Sequence, residues 1–310
     1  MLDLWKFRVW QLLLTTLMIA GCSQVIETGE PGVLVSTDWL QDNLNDPDLV
    51  ILHSGSADFY DSIHIKGARL IIPNTFTMNI EGVRNQMPPP DSIVDLLIEV
   101  GVDNDSKIVL YYESTATRNR TARVFVALDH LGLGDRTFVL NGGLPAWQEE
   151  ERELSDLLPE VSPGNLELTE LKQVIIESAE LDGQRWSDEI VLIDARSNEE
   201  YYGTPASEEG PAEGGHIEGA YFLPYQDLLE ENKPYLIKPE AEMEELFRKA
   251  GMDPGKKTVV YCGSGIRACV SYLAARHLGY PVLLYDGSYE EWRDLDLPLT
   301  RRVDLPNKIE

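Results

Sequence analysis

The segment of this 310-residue sequence best suited to chemistry is Cys262-Gly263-Ser264-Gly265-Ile266-Arg267-Ala268. It lies between a run of β-branched and aromatic residues, Thr258–Tyr261, and an amphipathic stretch, Ala268–Leu278. Glycines at 263 and 265 open backbone geometries closed to other residues, so several N–H groups can turn inward around one sulfur. The helix that follows adds the positive end of its dipole, and Arg267 adds a full charge. All three effects favour an anion. Cys262 is therefore expected as a thiolate nucleophile, with Gly263, Ser264, Gly265, Ile266 and Arg267 forming the pocket around its substrate. The competing reading, a buried structural cysteine, needs neither the glycines nor the arginine.

A buried strand, a tight turn and a helix must position such a loop, and the sequence supplies that unit twice. Residues 36–150 align with residues 167–303 at a period too long for a solenoid, which marks a duplicated domain. Val50-Ile51-Leu52-His53-Ser54-Gly55 faces Val191-Leu192-Ile193-Asp194-Ala195-Arg196, and His64-Ile65-Lys66-Gly67-Ala68 faces His216-Ile217-Glu218-Gly219-Ala220. Asn141-Gly142-Gly143 with Trp147 faces Asp286-Gly287-Ser288 with Trp292. Continuous apolar runs at Ile108–Tyr112 and Thr258–Tyr261 read as strands buried on both faces. Helical patterns follow at Ala122–Leu131 and Ala268–Leu278, then second strands at Thr137–Leu140 and Val282–Tyr285. Strand, helix, strand at this spacing predicts an α/β fold: two tandem domains, each a parallel sheet with right-handed crossovers and helices on both faces. Residues 151–166, rich in acids and carrying Pro159 and Pro163, read as the linker. In the first copy Tyr112 takes the place of Cys262, and the loop Glu113–Thr121 is about three residues longer and has no glycine.

Composition removes several function classes. Acidic residues outnumber basic ones 53 to 26, a net charge of −27 that repels phosphate backbones, so nucleic acid is not a partner. Three cysteines (Cys22, Cys262, Cys269) cannot build a disulfide scaffold or a four-thiolate zinc site, and no HExxH pattern is present. At the N-terminus, Lys6 and Arg8 precede an apolar stretch, Val9–Ile19, that is short for a bilayer core of ~30 Å. It ends in Ile19-Ala20-Gly21-Cys22, which resembles the bacterial lipobox. The resemblance implies a signal peptide over residues 1–21 and a lipid on Cys22. The chain would then be anchored in the bacterial cell envelope, facing the periplasm, and Ser23 after the cysteine favours the outer membrane.

The repeat, the CGSGIRA loop, the Asp194-Ala195-Arg196…His216-Ile217-Glu218-Gly219-Ala220 segment and the closing Asp286-Gly287…Trp292 together resemble a two-domain rhodanese, specifically the thiosulfate and 3-mercaptopyruvate sulfurtransferases. That resemblance implies two rhodanese-like domains, a catalytic second copy, and a worn first copy that cannot hold a persulfide. It implies a double displacement: Cys262 takes a sulfane sulfur from a small anionic donor, becomes a persulfide, and yields the sulfur to cyanide or a thiol. No metal or organic cofactor is needed. Four residues separate Cys262 from Arg267, where phosphatases of the same fold have five, so the loop suits one sulfur rather than a phosphoryl group. A non-turnover persulfide carrier is the alternative function.

The sequence departs from that family at the donor site. Glu200 stands where an arginine usually follows the Asp-x-Arg, and its carboxylate is expected to repel an anionic donor. Arg118, Arg120 and Arg123 of the first copy are candidates to reach over the cleft in compensation. Asp194 and Arg196 end a strand and are expected as a structural ion or hydrogen-bonding pair near the loop in preference to direct chemistry, and Arg196 is counted as well with the substrate-binding residues. His216 is expected to order its turn, Cys269 to lie in the core, and Trp147 and Trp292 to line core or cleft.

Overall fold

The structure, a computed structural model, describes residues 32–203 and 214–300. Cys22 and the acidic Ser207-Glu208-Glu209 segment lie outside the described residues.

Each copy builds one five-stranded sheet in which every pairing is parallel. In the first, the strands run in the order Leu34–Val35, Thr137–Leu140, Lys107–Tyr112, Leu49–Ser54 and Arg69–Ile71. In the second the order is Ile175–Ile176, Val282–Tyr285, Lys257–Tyr261, Ile190–Asp194 and Tyr221–Phe222. The two orders are the same, and the second strands expected at 137–140 and 282–285 occur with those bounds.

Continuous apolar runs form these central strands because both faces are covered. Along the first sheet Val50, Leu52, Ile108 and Leu110 point to one cluster, and Ile51, Val109 and Tyr111 to another. The second sheet divides likewise, with Val191, Ile193 and Val260 on one side and Leu192, Val259 and Tyr261 on the other. The two outer clusters are separate, each closed by a short helix that carries a fully buried tryptophan, Trp147 or Trp292. The inner faces share a single core. Helices Thr115–His130 and Ala268–His277 pack together between the sheets, with the rings of Phe125 and Tyr272 6.5 Å apart. A side chain such as Phe125, buried from all sides, is worth about 3–5 kcal/mol against truncation to alanine.

Two expectations change. The glycine-free stretch of the first copy is not a long loop: Thr115–Thr121 is helical, and Ser114 and Thr117 form a capping box ahead of it. Without glycine to sustain a turn, the extra residues and those beside them join the helix, which has 16 residues against 10 in its counterpart. The segment read as a linker also begins as part of the first copy. Leu154–Ser155 pairs antiparallel with His64–Ile65, as Leu299–Thr300 does with His216–Ile217.

Candidate active site

Cys262 directly follows the central strand of the second sheet, Lys257–Tyr261, and is 1% exposed, set in the shared core. Its backbone is fixed on three sides. Its N–H donates to Ser288 Oγ at 3.2 Å, its carbonyl accepts from Tyr289 N at 3.0 Å, and the Gly263 carbonyl accepts from Glu290 N at 3.1 Å. Ser288 holds a left-handed backbone (φ 56°) at the position where the first copy has Gly143 (φ 55°). In the first copy a Cβ at Gly143 would lie 2.5 Å from the Tyr112 ring and 2.6 Å from the Tyr112 carbonyl oxygen, so glycine is required there, whereas the second copy accommodates Ser288. Its hydroxyl also donates to the Tyr285 carbonyl at 2.9 Å, which offsets the strain of that backbone.

The loop then turns over the cysteine before helix Ala268–His277 begins. Gly265 has φ +81°, and a Cβ there would lie 2.7 Å from the Asp286 carbonyl oxygen, so glycine is required at this point. The N–H groups of Gly263, Ser264, Gly265, Ile266 and Arg267 meet no acceptor among the described residues. Orphan N–H groups in a turn leading into a helix make an anion cradle.

Arg267 and Glu200 meet beside this cradle. The guanidinium donates to both carboxylate oxygens, at 2.7 and 2.6 Å, and Glu200 also accepts from Ser197 N at 3.1 Å as part of a capping box. Burial opposes the Glu200 charge, but the Arg267 bonds and the Ser197 N–H outweigh it and lower its pKa to about 2. The same hydrogen bonds raise the Arg267 pKa against its burial. Glu200 is thus not the isolated repelling carboxylate expected from the sequence, and Arg267 is not a free cation.

Arg196 is likewise engaged. It is 2% exposed, grips Asp194 through Nε and Nη2 (2.6 Å), donates to the Gly215 carbonyl at 2.6 Å, and lies 3.9 Å from the Tyr289 ring centroid. Asp194 also accepts from Tyr261 OH at 2.7 Å. The structure therefore puts Arg196 in the structural pair rather than over the loop. His216 stacks on Tyr201 (centroids 3.8 Å, 3° apart) and donates from Nδ1 to the Tyr201 carbonyl, ordering the turn as expected. Cys269 is fully buried and donates to the Gly265 carbonyl at 3.0 Å; burial pushes its thiol up to about 12 despite nearby Arg123. Cys269 braces the loop from beneath.

The first copy supplies what sequence reasoning missed. Its hairpin, Met78–Ile80 with Val83–Gln86, carries Asn85, whose amide donates to the carbonyl and hydroxyl oxygens of Ser264 at 3.0 and 3.1 Å. Arg84 pairs with Glu290, and Met87 N donates to Asp286 Oδ2 at 2.8 Å. Arg123, fully buried, donates to both Asp286 oxygens (2.5 and 2.9 Å) and to the Asn85 carbonyl. Arg118 donates to the Pro234 carbonyl, and Arg120 lines a separate first-copy cavity with Glu113, Ser56 and Asn74. So Arg123 does reach the second copy, but to Asp286 beneath the loop and not to a donor anion. A polar hairpin residue such as Asn85 carries no signal in one sequence; Asp286 was visible in the repeat, without its role.

Among the described residues no group of three or more His, Cys, Asp or Glu side chains could hold a metal ion, and no helix is long and apolar enough to cross a membrane. A family model described as Rhodanese-like domain matches residues 36–150 and 177–295. The chain is 31% identical to the thiosulfate sulfurtransferase of Azotobacter vinelandii, over 82% of this chain and 91% of that one. It is 30% identical to the sulfur carrier protein TtuD of Thermus thermophilus, covering 86% and 95%, and 26% identical to the 3-mercaptopyruvate sulfurtransferase of Escherichia coli, covering 88% and 96%. The crystal structure of the Escherichia coli 3-mercaptopyruvate sulfotransferase SseA shares the fold with a TM-score of 0.70 at 24% identity, over 83% of this chain and 99% of that one. The two parallel sheets with their common strand order, joined by that match in both halves, make this chain a member of the rhodanese family with two copies of its domain.

Proposed function

We infer that this protein is a sulfurtransferase working through a persulfide on Cys262. One observation carries the reading: a cysteine sulfur at the foot of a loop whose successive N–H groups have no protein acceptor among the described residues. In the first half-reaction the Cys262 thiolate attacks the sulfane sulfur of a donor, and the donor's remaining group leaves with the electron pair of the broken bond. The terminal sulfur of the resulting Cys–S–S⁻ is the anion that the loop N–H groups and the helix N-terminus stabilise. Cyanide or a thiolate then attacks that sulfur and restores Cys262. Thiosulfate and 3-mercaptopyruvate, named in its relatives, are the donors to assay first.

Incubating the protein with thiosulfate or mercaptopyruvate should add 32 Da. Cys262→Ser should abolish both the adduct and cyanide-dependent thiocyanate formation, whereas Cys269→Ser keeps most of each. A dead Cys269→Ser beside an active Cys262→Ser refutes the assignment. A relative named as a sulfur carrier favours a second reading, in which the persulfide is handed to a protein partner without free turnover. Adduct formation without multiple turnovers on cyanide or small thiols distinguishes it.

We further propose that Cys22 carries a lipid and holds the chain at the periplasmic face of the bacterial envelope, on the small residues Ala20-Gly21 before it and the apolar run before those. Cys22→Ala should lose incorporation of labelled palmitate and leave a precursor or a soluble form. Equal labelling of both versions excludes this site.

A further inference from the structure

A donor brings two things to this site: the sulfane sulfur, received by the loop N–H groups, and a leaving group that must be held outside the loop. For thiosulfate the leaving group is sulfite, and for mercaptopyruvate it carries a carboxylate, so each calls for a free cation at the mouth. The described arginines around the loop do not offer one. Arg267 is engaged by both oxygens of Glu200, Arg84 by Glu290, Arg196 by Asp194 and Arg123 by Asp286. The closest of them, Arg267, lies with Nη2 3.0 Å from where a Cβ on Gly263 would stand, with Glu200 Oε1 4.0 Å from the same point. An anionic leaving group would meet that carboxylate together with the guanidinium. A bidentate arginine–carboxylate pair has already used the geometry an incoming oxyanion would need.

Resting on the sulfurtransferase reading above, we propose that Glu200 is a specificity-determining residue that selects thiol persulfides, R–S–S–H, over oxyanion donors. The step balances without another reactant. Cys262 Sγ⁻ bonds to the outer sulfur of R–S–S–H, the bond between that sulfur and R–S breaks, and R–S⁻ leaves with the electron pair. The proton on the transferred sulfur passes to R–S⁻, giving Cys262–S–S⁻ and R–SH. One negative charge is present before and after, and the thiol leaving group carries no fixed anion beside its sulfur.

The test is the rate of the 32 Da gain on Cys262, followed by quenched intact-mass spectrometry. Three donors are compared at equal concentration: the persulfide of 2-mercaptoethanol, thiosulfate and mercaptopyruvate. The wild-type protein should load at least tenfold faster from the persulfide than from thiosulfate. In Glu200→Gln, which keeps the side-chain length and an oxygen for the Ser197 N–H, the thiosulfate-to-persulfide rate ratio should rise tenfold or more, chiefly through the thiosulfate concentration dependence. Glu200→Ala, with melting temperature checked, should shift the ratio in the same direction. An unchanged ratio, whether or not both rates fall together, overturns the proposal and leaves Glu200 as a helix cap. Faster wild-type loading from thiosulfate overturns it too. No adduct from any donor defeats the sulfurtransferase reading itself.

Discussion

Gly265 and Gly263 look alike in the sequence, two glycines flanking one serine, but the structure asks different things of them. A Cβ at Gly265 would press on the backbone carbonyl of Asp286 from a left-handed position, so the loop itself would have to move. A Cβ at Gly263 would meet side-chain ends alone, Arg267 Nη2 at 3.0 Å and its partner Glu200 Oε1 at 4.0 Å, which give way more easily than backbone. Gly265→Ala should therefore cut the rate of sulfur loading at least tenfold, and Gly263→Ala by less. Loading rates for the two variants check this, and a reversed order would mean that the cradle does not depend on the left-handed turn. At this scale the sequence singled out Cys262 and its tight loop, because cysteine, glycine and arginine each carry a local chemical reason. The Asp194–Arg196 pair, two residues apart at a strand end, was legible as well. That Glu200 meets Arg267 was not, because it is a relation between side chains 67 residues apart that spacing along the chain does not contain.

At the scale of elements, strands were legible because both-sided burial writes itself as an unbroken apolar run, and the repeat doubled the signal. The helix Thr115–His130 was read too short. Arg118, Arg120 and Arg123 obscured its apolar face, yet Arg118 and Arg123 are buried along with Ala122, Val124 and Phe125 because the helix lies between two sheets. The strand Leu49–Ser54 shows how the first copy differs at the corresponding place. Where the second copy has Asp194, it carries His53, fully buried, 2.9 Å from Tyr111 OH and 3.4 Å from Glu113. Burial lowers the His53 pKa to about 4, against the opposing pull of Glu113. In the unfolded chain the imidazole takes up a proton near pH 6.5, while in the folded protein it stays neutral until about pH 4. This group's contribution to stability is thus complete above pH 6.5 and is lost as the pH falls toward 4. Melting curves at pH 7.5, 5.5 and 4.5 should show a smaller acid-side decline for His53→Gln than for the wild type. Parallel declines would mean that the imidazole is already charged in the folded state.

For the whole molecule, the two copies are clamped by buried charge as well as by apolar packing. Arg123 and Asp286 form one such clamp; Asp129, held by Tyr272 and Arg276 at 2.6 and 2.8 Å, forms another. Removing one partner leaves the other charged group buried and unpaired, which costs about 3–5 kcal/mol. Arg123→Ala should lower the melting temperature by several degrees and reduce sulfur loading, because Asp286 also backs Gly265. Arg293→Ala, at an exposed pair with Asp294, should change neither. Thermal melts of the two variants decide it; equal, small effects would mean that the clamp is not energetically important. Tandem architecture was readable from the repeat. The mutual dependence of its halves was not, since nothing in two aligned copies tells whether their inner faces meet.

That shared inner core bears on how a duplicated gene can age. A redundant copy of a duplicated domain is ordinarily free to drift or be deleted. Here, loss of the first copy would strip the cover from Val191, Ile193, Val260 and the helix behind Cys262, and would take Asn85 and Arg123 away from the loop. Position 112 holds a tyrosine in place of the thiol, yet the scaffold around it is still needed by the other half. Substitutions at the first-copy cavity around Glu113 and Arg120 should accumulate freely between descendants of this chain, while the buried face of helix Thr115–His130 stays fixed by the sheet on its far side.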